Sequence, residues 1–153
     1  MESGSFAAKA VHVVRVDPGE DVLKSVEAFL RAAGVTQAVV AGGYGTLAAS
    51  HLHWVAHNRI PTDNVFRRDD GGIEILSMNG LVVAGAPHIH VTLSTPEGAY
   101  GGHLEEGCVA YVLCEVVLVE LDGPALSRRP TRVCVEGMGE GDVPRLTFDE
   151  NDE

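Results

Sequence analysis

Basic residues are scarce in this chain: 11 Lys and Arg stand against 22 Asp and Glu, a formal net charge of −11 over 153 residues. Proteins that grip nucleic acid draw most of their affinity from Lys and Arg on phosphates. No basic run here exceeds Arg67-Arg68 or Arg128-Arg129, so direct duplex binding by this chain alone is disfavoured, although a local basic patch on an acidic protein stays open. Cysteine is sparse too. Cys108, Cys114 and Cys134 are odd in number and lack CxxC spacing, which argues against a disulfide framework and a cysteine zinc site and fits reduced thiols in a cytoplasm. Cys108 and Cys114, six apart in strand-like sequence, are expected to be buried and inert. There is no GK[ST] after a glycine run and no GxSxG, which removes the P-loop and the serine-hydrolase elbow. No apolar run approaches membrane-spanning length. The opening MESGSFAAKA lacks the basic-then-apolar order of a secretory signal, so the expectation is a soluble, cytoplasmic protein. Aromatics make up only 5% of the chain, and a core built from Val, Ala and Leu favours strands over a helical bundle.

What is present reads as one domain. Lys9 to Asp17 alternates, with Val11, Val13 and Arg15 on one side and His12, Val14 and Val16 on the other, the pattern of a half-buried strand. After Pro18-Gly19, Asp21 is placed to cap a helix over Val22 to Ala33, closed by Gly34. Val22, Val26, Phe29 and Ala33, with Leu23 and Leu30 beside them, give that helix one apolar face. Val35 to Ala41 predicts a buried strand, Ala48 to His57 another, and Ile60 to Asp70, with Pro61 and several charges, a loop or ordered flap. Strands follow at about Ile73 to Val83, His88 to Ser94 and Val109 to Leu121, with short pieces at Thr131 to Glu136 and Arg145 to Phe148. The fold class is therefore α+β, mostly antiparallel, with one main helix packed on the sheet. The division expected is a domain over 7–136 and an acidic tail over 137–153, partly flexible, since the last 14 residues hold six acids and one arginine.

The chemistry-bearing feature is PHIHVTLSTPEGAYGGHLEEGCV, Pro87 to Val109. In a strand, residues i and i+2 project from one face, so His88 and His90 can converge. A turn through Pro96, Gly98, Gly101 and Gly102 can return His103 to them. Three imidazoles would make an open transition-metal site with one position left for water or a ligand; the alternative is three unrelated surface histidines. Glu105 and Glu106, just after His103, can supply a general base beside such a site, serve as a ligand or hold an imidazole N–H, or can be two exposed acids in a turn. His51 and His53 repeat the i, i+2 spacing on another strand, with His57 four further on; a polar strand face, a supporting shell and a second ligand set all remain open for them. Trp54 points the opposite way, toward core. The run Gly43-Tyr44-Gly45-Thr46-Leu47-Ala48 fits a loose GxGxxA fingerprint, with Asp63 about twenty residues on. That fingerprint needs a helix to begin at the loop, and AASHLHWVAH alternates like a strand instead, so a tight turn or close backbone packing is the better reading.

Taken together, IEILSMNG (Ile73 to Gly80), PHIHV, GGHLEEGCV and AYVLCEVVLVEL, preceded by PGEDVLKSVEAFLRAAGV (Pro18 to Val35) and the glycines at Gly42 to Gly45, resemble the plants-and-prokaryotes-conserved (PPC) domain. The likeness runs from about His12 to Leu121 in the right order. It implies a mostly antiparallel α+β domain, commonly a homotrimer, in which histidines matching His88, His90 and His103 bind a metal in some members, zinc or another divalent transition metal. It also brings a DNA-binding description, by analogy with plant members that carry AT-hooks. This chain has no RGRP-type hook; Arg128-Arg129-Pro130 is the nearest sequence.

The leading expectation is a trimeric metal-binding PPC-domain protein whose open three-histidine site binds a small ligand or activates water, a metal-dependent hydrolase or lyase if it is an enzyme. Neutral imidazoles must bind the metal, so occupancy is expected to fall below about pH 6. The alternative is a DNA-associated or protein-partner scaffold in transcriptional regulation, without catalysis.

Overall fold

The computed structural model describes residues 1–149. Strand β1 (Ala7–Val16) leads to helix α1 (Val22–Ala33), and seven strands follow: β2 (Ala38–Val55), β3 (Asn64–Val83), β4 (Ala86–Thr95), β5 (Gly98–Leu104), β6 (Val109–Asp122), β7 (Ala125–Val135) and β8 (Gly139–Asp149). Among the described residues α1 is the one helix, so the chain is a mostly antiparallel β structure in which the helical part is minor. No helix there is long and apolar enough to cross a membrane.

Six strands form one sheet in the order β1-β6-β2-β3-β4-β5, and β5 also pairs with β2. That last pairing, Leu52 with Leu104 and His53 with His103, closes β2, β3, β4 and β5 into a ring. Closing a ring requires strands that bend, and β2 supplies the bend. Its register against β6 slips between Val40 and Gly42, Gly45 and Leu47, and Leu47 and Ala49, as β-bulges do where a sheet must coil. Gly45 has φ +145°, and a Cβ there would run into the Leu113 carbonyl, so only glycine fits this bulge. The glycine run therefore lies inside one long strand; no helix begins after it, and the dinucleotide reading has no support in the fold.

Helix α1 forms where the spacing places it. The Asp21 side chain accepts from the Lys24 N–H at 3.0 Å, and Gly34 ends the helix at φ 69°. Val22, Val26 and Leu30 are its buried residues, an i, i+4, i+8 stripe, with Leu23 and Phe29 partly covered beside them; Ala33 is exposed. The stripe meets Val14, Val16, Val116 and Leu118 in the core. On β1 the alternation holds as expected, since Val14 and Val16 are buried while Val11 and Val13 are 66% and 68% exposed.

Two stretches differ from the sequence reading. Asn64 to Asp70, expected in a loop, is the first part of β3 and pairs with Ala49 to Val55. Its charges belong to a solvated strand face, where Arg67 meets Asp69 at 2.7 Å, and such a face needs no apolar alternation. Three of the six acids expected in a flexible tail, Glu140, Asp142 and Asp149, lie in β8, which pairs with β7 from Ala125–Asp149 to Val135–Gly139. Two of them are bound across the hairpin, Asp149 to Arg129 at 2.6 Å and Glu140 to Arg132 at 2.9 Å; the rest of that expectation, residues 150–153, lies outside the described residues.

Candidate metal centre

Register, more than sequence proximity, assembles the site. Phe66 on β3 is the cross-strand partner of His53 on β2, which partners His103 on β5, which partners His90 on β4, which partners Asn79 back on β3. This is a complete circuit of the strand ring. Directly opposed residues hold their Cβ atoms about 4.5–5.5 Å apart on one face, so three imidazoles are neighbours by backbone pairing alone. His88 joins them because it stands two residues before His90. Between them Ile89 is fully buried, which sends both histidines to the outer face.

The rings confirm the convergence. His88 Nε2 lies 3.2 Å from His90 Nε2. The His103 ring stands edge-on to both, with centroids 4.4 Å and 5.4 Å away. One nitrogen from each of His88, His90 and His103 falls within a 4.8 Å span. Tetrahedral zinc at about 2.0–2.1 Å from its nitrogens puts two ligand nitrogens roughly 3.3 Å apart, so the His88–His90 pair already has the separation such an ion requires. The donor set, neutral imidazole, suits zinc and other first-row divalent ions. The residues fit the metal.

Beside this trio lies a second, overlapping group: His53, His103 and Glu105 also bring ligand atoms within 4.8 Å. His53 lies over His103 with centroids 4.3 Å apart and planes tilted by 32°, and its Nδ1 meets Glu105 Oε1 at 2.6 Å. Glu105 therefore sits at the edge of the cluster, bound to the imidazole that covers His103. Glu106 does not join it, because its carboxylate pairs with Lys24 Nζ at 2.8 Å. His51 Nδ1 lies 2.6 Å from the Glu106 carbonyl and His57 Nε2 3.1 Å from Asp63, so neither is a ligand of the cluster. Trp54 packs against the core as expected and donates its indole N–H to the Gly101 carbonyl. Cys108 and Cys114 are fully buried; burial raises both thiols, Cys114 to about 11, which leaves them protonated and inert.

Burial and nearby positive charge hold His88 and His103 below the ordinary imidazole range. His103 is pushed down to about 4, chiefly by burial and then by His88 and His53, with Glu105 opposing. His88 is lowered by burial first and then by the charge of Arg128. A pocket of about 690 Å³ opens over the histidines, lined also by Asn79, Val91 and Thr92, a volume in the range of small-molecule sites. His53 was the member that sequence reasoning left unassigned. Its HLH spacing was visible, but its partner is fixed by the β2–β5 register, which no local pattern reports.

Relatives of known structure share this architecture. A plant- and prokaryote-conserved protein from Pyrococcus horikoshii is 31% identical, with a TM-score of 0.71 over 86% of this chain and 92% of that one. A metal-containing protein from Archaeoglobus fulgidus is 29% identical, with a TM-score of 0.72 over 91% and 96%. Among curated sequences, the bifunctional protein GlmU of a Synechococcus strain is 27% identical over 121 residues. That match takes in 78% of this chain but 18% of GlmU, so the chain spans less than a fifth of the curated relatives' length. The model of the Plants and Prokaryotes Conserved (PCC) domain matches residues 3–122, from before β1 to the end of β6, and this chain belongs to that family.

Proposed function

We propose that this protein holds one divalent transition metal, zinc by its donor set, on His88, His90 and His103, and presents the open side of that site to a small ligand. The observation that carries the reading is the meeting of three imidazoles from β4 and β5, with the His88 and His90 nitrogens 3.2 Å apart. The metal-containing relative from Archaeoglobus fulgidus supports it. A bound ion would accept an oxygen or nitrogen of the ligand at its free position and polarise it.

The chain's own residues do the rest. His53 covers one side of His103, and Glu105 fixes the His53 ring through Nδ1. Such carboxylate–imidazole contacts orient the groups around a metal. If the site runs hydrolase or lyase chemistry, Glu105 at the edge of the cluster would act as its base, taking a proton directly or through His53. Three protomers assembled through the exposed Val11 and Val13 face complete the proposal.

The test is metal analysis of the wild type and His90→Ala, both purified without a histidine tag. The wild type should carry close to one metal per chain, and the variant less than a tenth of that. Equal metal content in the two would overturn the reading.

A further inference from the structure

The histidines stand in a row. Strand β5 lies between β4 and β2 in the ring, and the paired positions His90, His103 and His53 sit side by side across those three strands. His103 is the middle member, with an imidazole on either side: His90 at 5.4 Å and His53 at 4.3 Å between ring centroids. The first gap, completed by His88, is the three-histidine position. The second gap is completed from the chain that carries His103. Leu104 is fully buried, so Glu105 emerges on the outer face with His103. The Glu105 N–H donates to the His51 carbonyl at 3.0 Å, which extends the ladder with β2 one residue past the end of β5.

This second gap has the chemistry of a cation position. His53, His103 and Glu105 each offer one ligand atom, and the three atoms lie within 4.8 Å of one another. Two imidazoles and a carboxylate are a donor set that zinc takes. Charge points the same way. The neighbouring Glu106 has Lys24 at 2.8 Å, whereas among the described residues no Lys or Arg pairs with Glu105, whose carboxylate meets His53 Nδ1 at 2.6 Å. A carboxylate without a basic partner, set in a row of imidazoles, favours a positive ion between them. His53 also lines the pocket that the trio lines, so an ion reaches this gap from solvent.

We propose that His53, His103 and Glu105 form a second metal position that takes a second divalent transition ion, with His103 giving one ring nitrogen to each ion. The inference goes beyond the one-ion reading and shares only His103 with it. It makes ligands of two residues, His53 and Glu105, that otherwise support the first position. The second position is the weaker one. An ion entering it releases to solvent the proton shared by His53 and Glu105 and the remaining ring proton of His103, and it meets the charge of the first ion. It therefore fills only in excess metal and is emptied on dialysis. When filled, it binds Glu105 and withdraws that carboxylate from any role as a base.

Calorimetric titration of chelated, tag-free protein with zinc is the test. The wild type should take two ions per chain, the second about tenfold or more weaker than the first. Glu105→Gln keeps the size of the side chain and removes the charge; it should take one ion and retain the tight event. His90→Ala should lose the tight event and keep the weak one, which ties the second ion to residues outside the trio. Two ions in Glu105→Gln overturn the proposal, because the second then lies elsewhere. One ion per chain in the wild type at excess zinc also overturns it, and His90→Ala then decides the three-histidine reading by itself. A wild type that takes up no zinc overturns both.

Discussion

An imidazole binds a metal only while it is neutral, so whatever keeps protons off the cluster sets the conditions under which the site can fill. Burial does most of that here, holding His88 low and bringing His103 to about 4 against an ordinary 6.5. Proton binding at His103 should therefore begin below the pH of about 6 that free histidine suggests. The same shift acts on the metal-free protein. Between pH 6.5 and about 4 the unfolded chain binds a proton at His103 that the folded chain does not, so stability is present above pH 6.5, declines as pH falls through that window and is level below it. Discounted for solvent reaching a half-buried ring, the loss is about 1–2 kcal/mol. Denaturant melts of chelated protein at pH 7 and pH 4.5 measure it; His103→Asn should remove most of the difference, and an unchanged difference in that variant would place its origin elsewhere. At this scale the sequence was informative where spacing is local: HIH in an alternating run declares two histidines on one face. It was silent where the partner is distant, as with His53 and Glu105, which stand 52 residues apart in sequence and 2.6 Å apart in space.

Asp21 shows one residue binding two elements. One carboxylate oxygen accepts from the Lys24 N–H and caps α1; the other accepts from the Gly107 N–H at 2.6 Å. Gly107 belongs to the turn between β5 and β6 that carries Glu105. Asp21→Ala should thus cost more than an ordinary helix cap, about 2–3 kcal/mol for a lost cap and an unpaired amide, and should also loosen the turn that positions Glu105. Urea melts give the first effect; metal affinity at neutral pH, measured by competition with a chelating dye, gives the second as a modest weakening. A loss of stability with unchanged affinity would confine Asp21 to capping. The helix itself was legible because every signal for it is local: an Asp before the first turn, an apolar stripe and a glycine stop. The long strands were less so. β2 reads as two strands because its glycines interrupt the alternation, although those glycines are bulges that let it pair with β3, β5 and β6. The start of β3 and most of β8 outside Arg145 to Phe148 read as loop and tail because their charges hide the strand pattern, whereas across the hairpin opposite charges are held together, as Arg132 and Glu140 are.

At the level of the whole molecule, the sheet has one face filled and one face open. Helix α1 and the core cover Val14 and Val16, while Val11 and Val13 on the other side of the same strand remain largely exposed. Apolar side chains at alternating positions on the outer face of a strand gain nothing from water, and their burial between copies contributes about 25 cal/mol for each Å² removed. The proposed trimer should show in light scattering on the eluting protein as about 49 kDa, three times the 16.2 kDa chain, and Val13→Asp should reduce it to the single-chain mass. All three proposed metal ligands come from one chain, so chelation should leave the trimer intact and Val13→Asp should keep its metal. Dissociation on chelation would mean that the ion serves the assembly instead of a ligand, and a single-chain mass for the wild type would remove the trimer altogether.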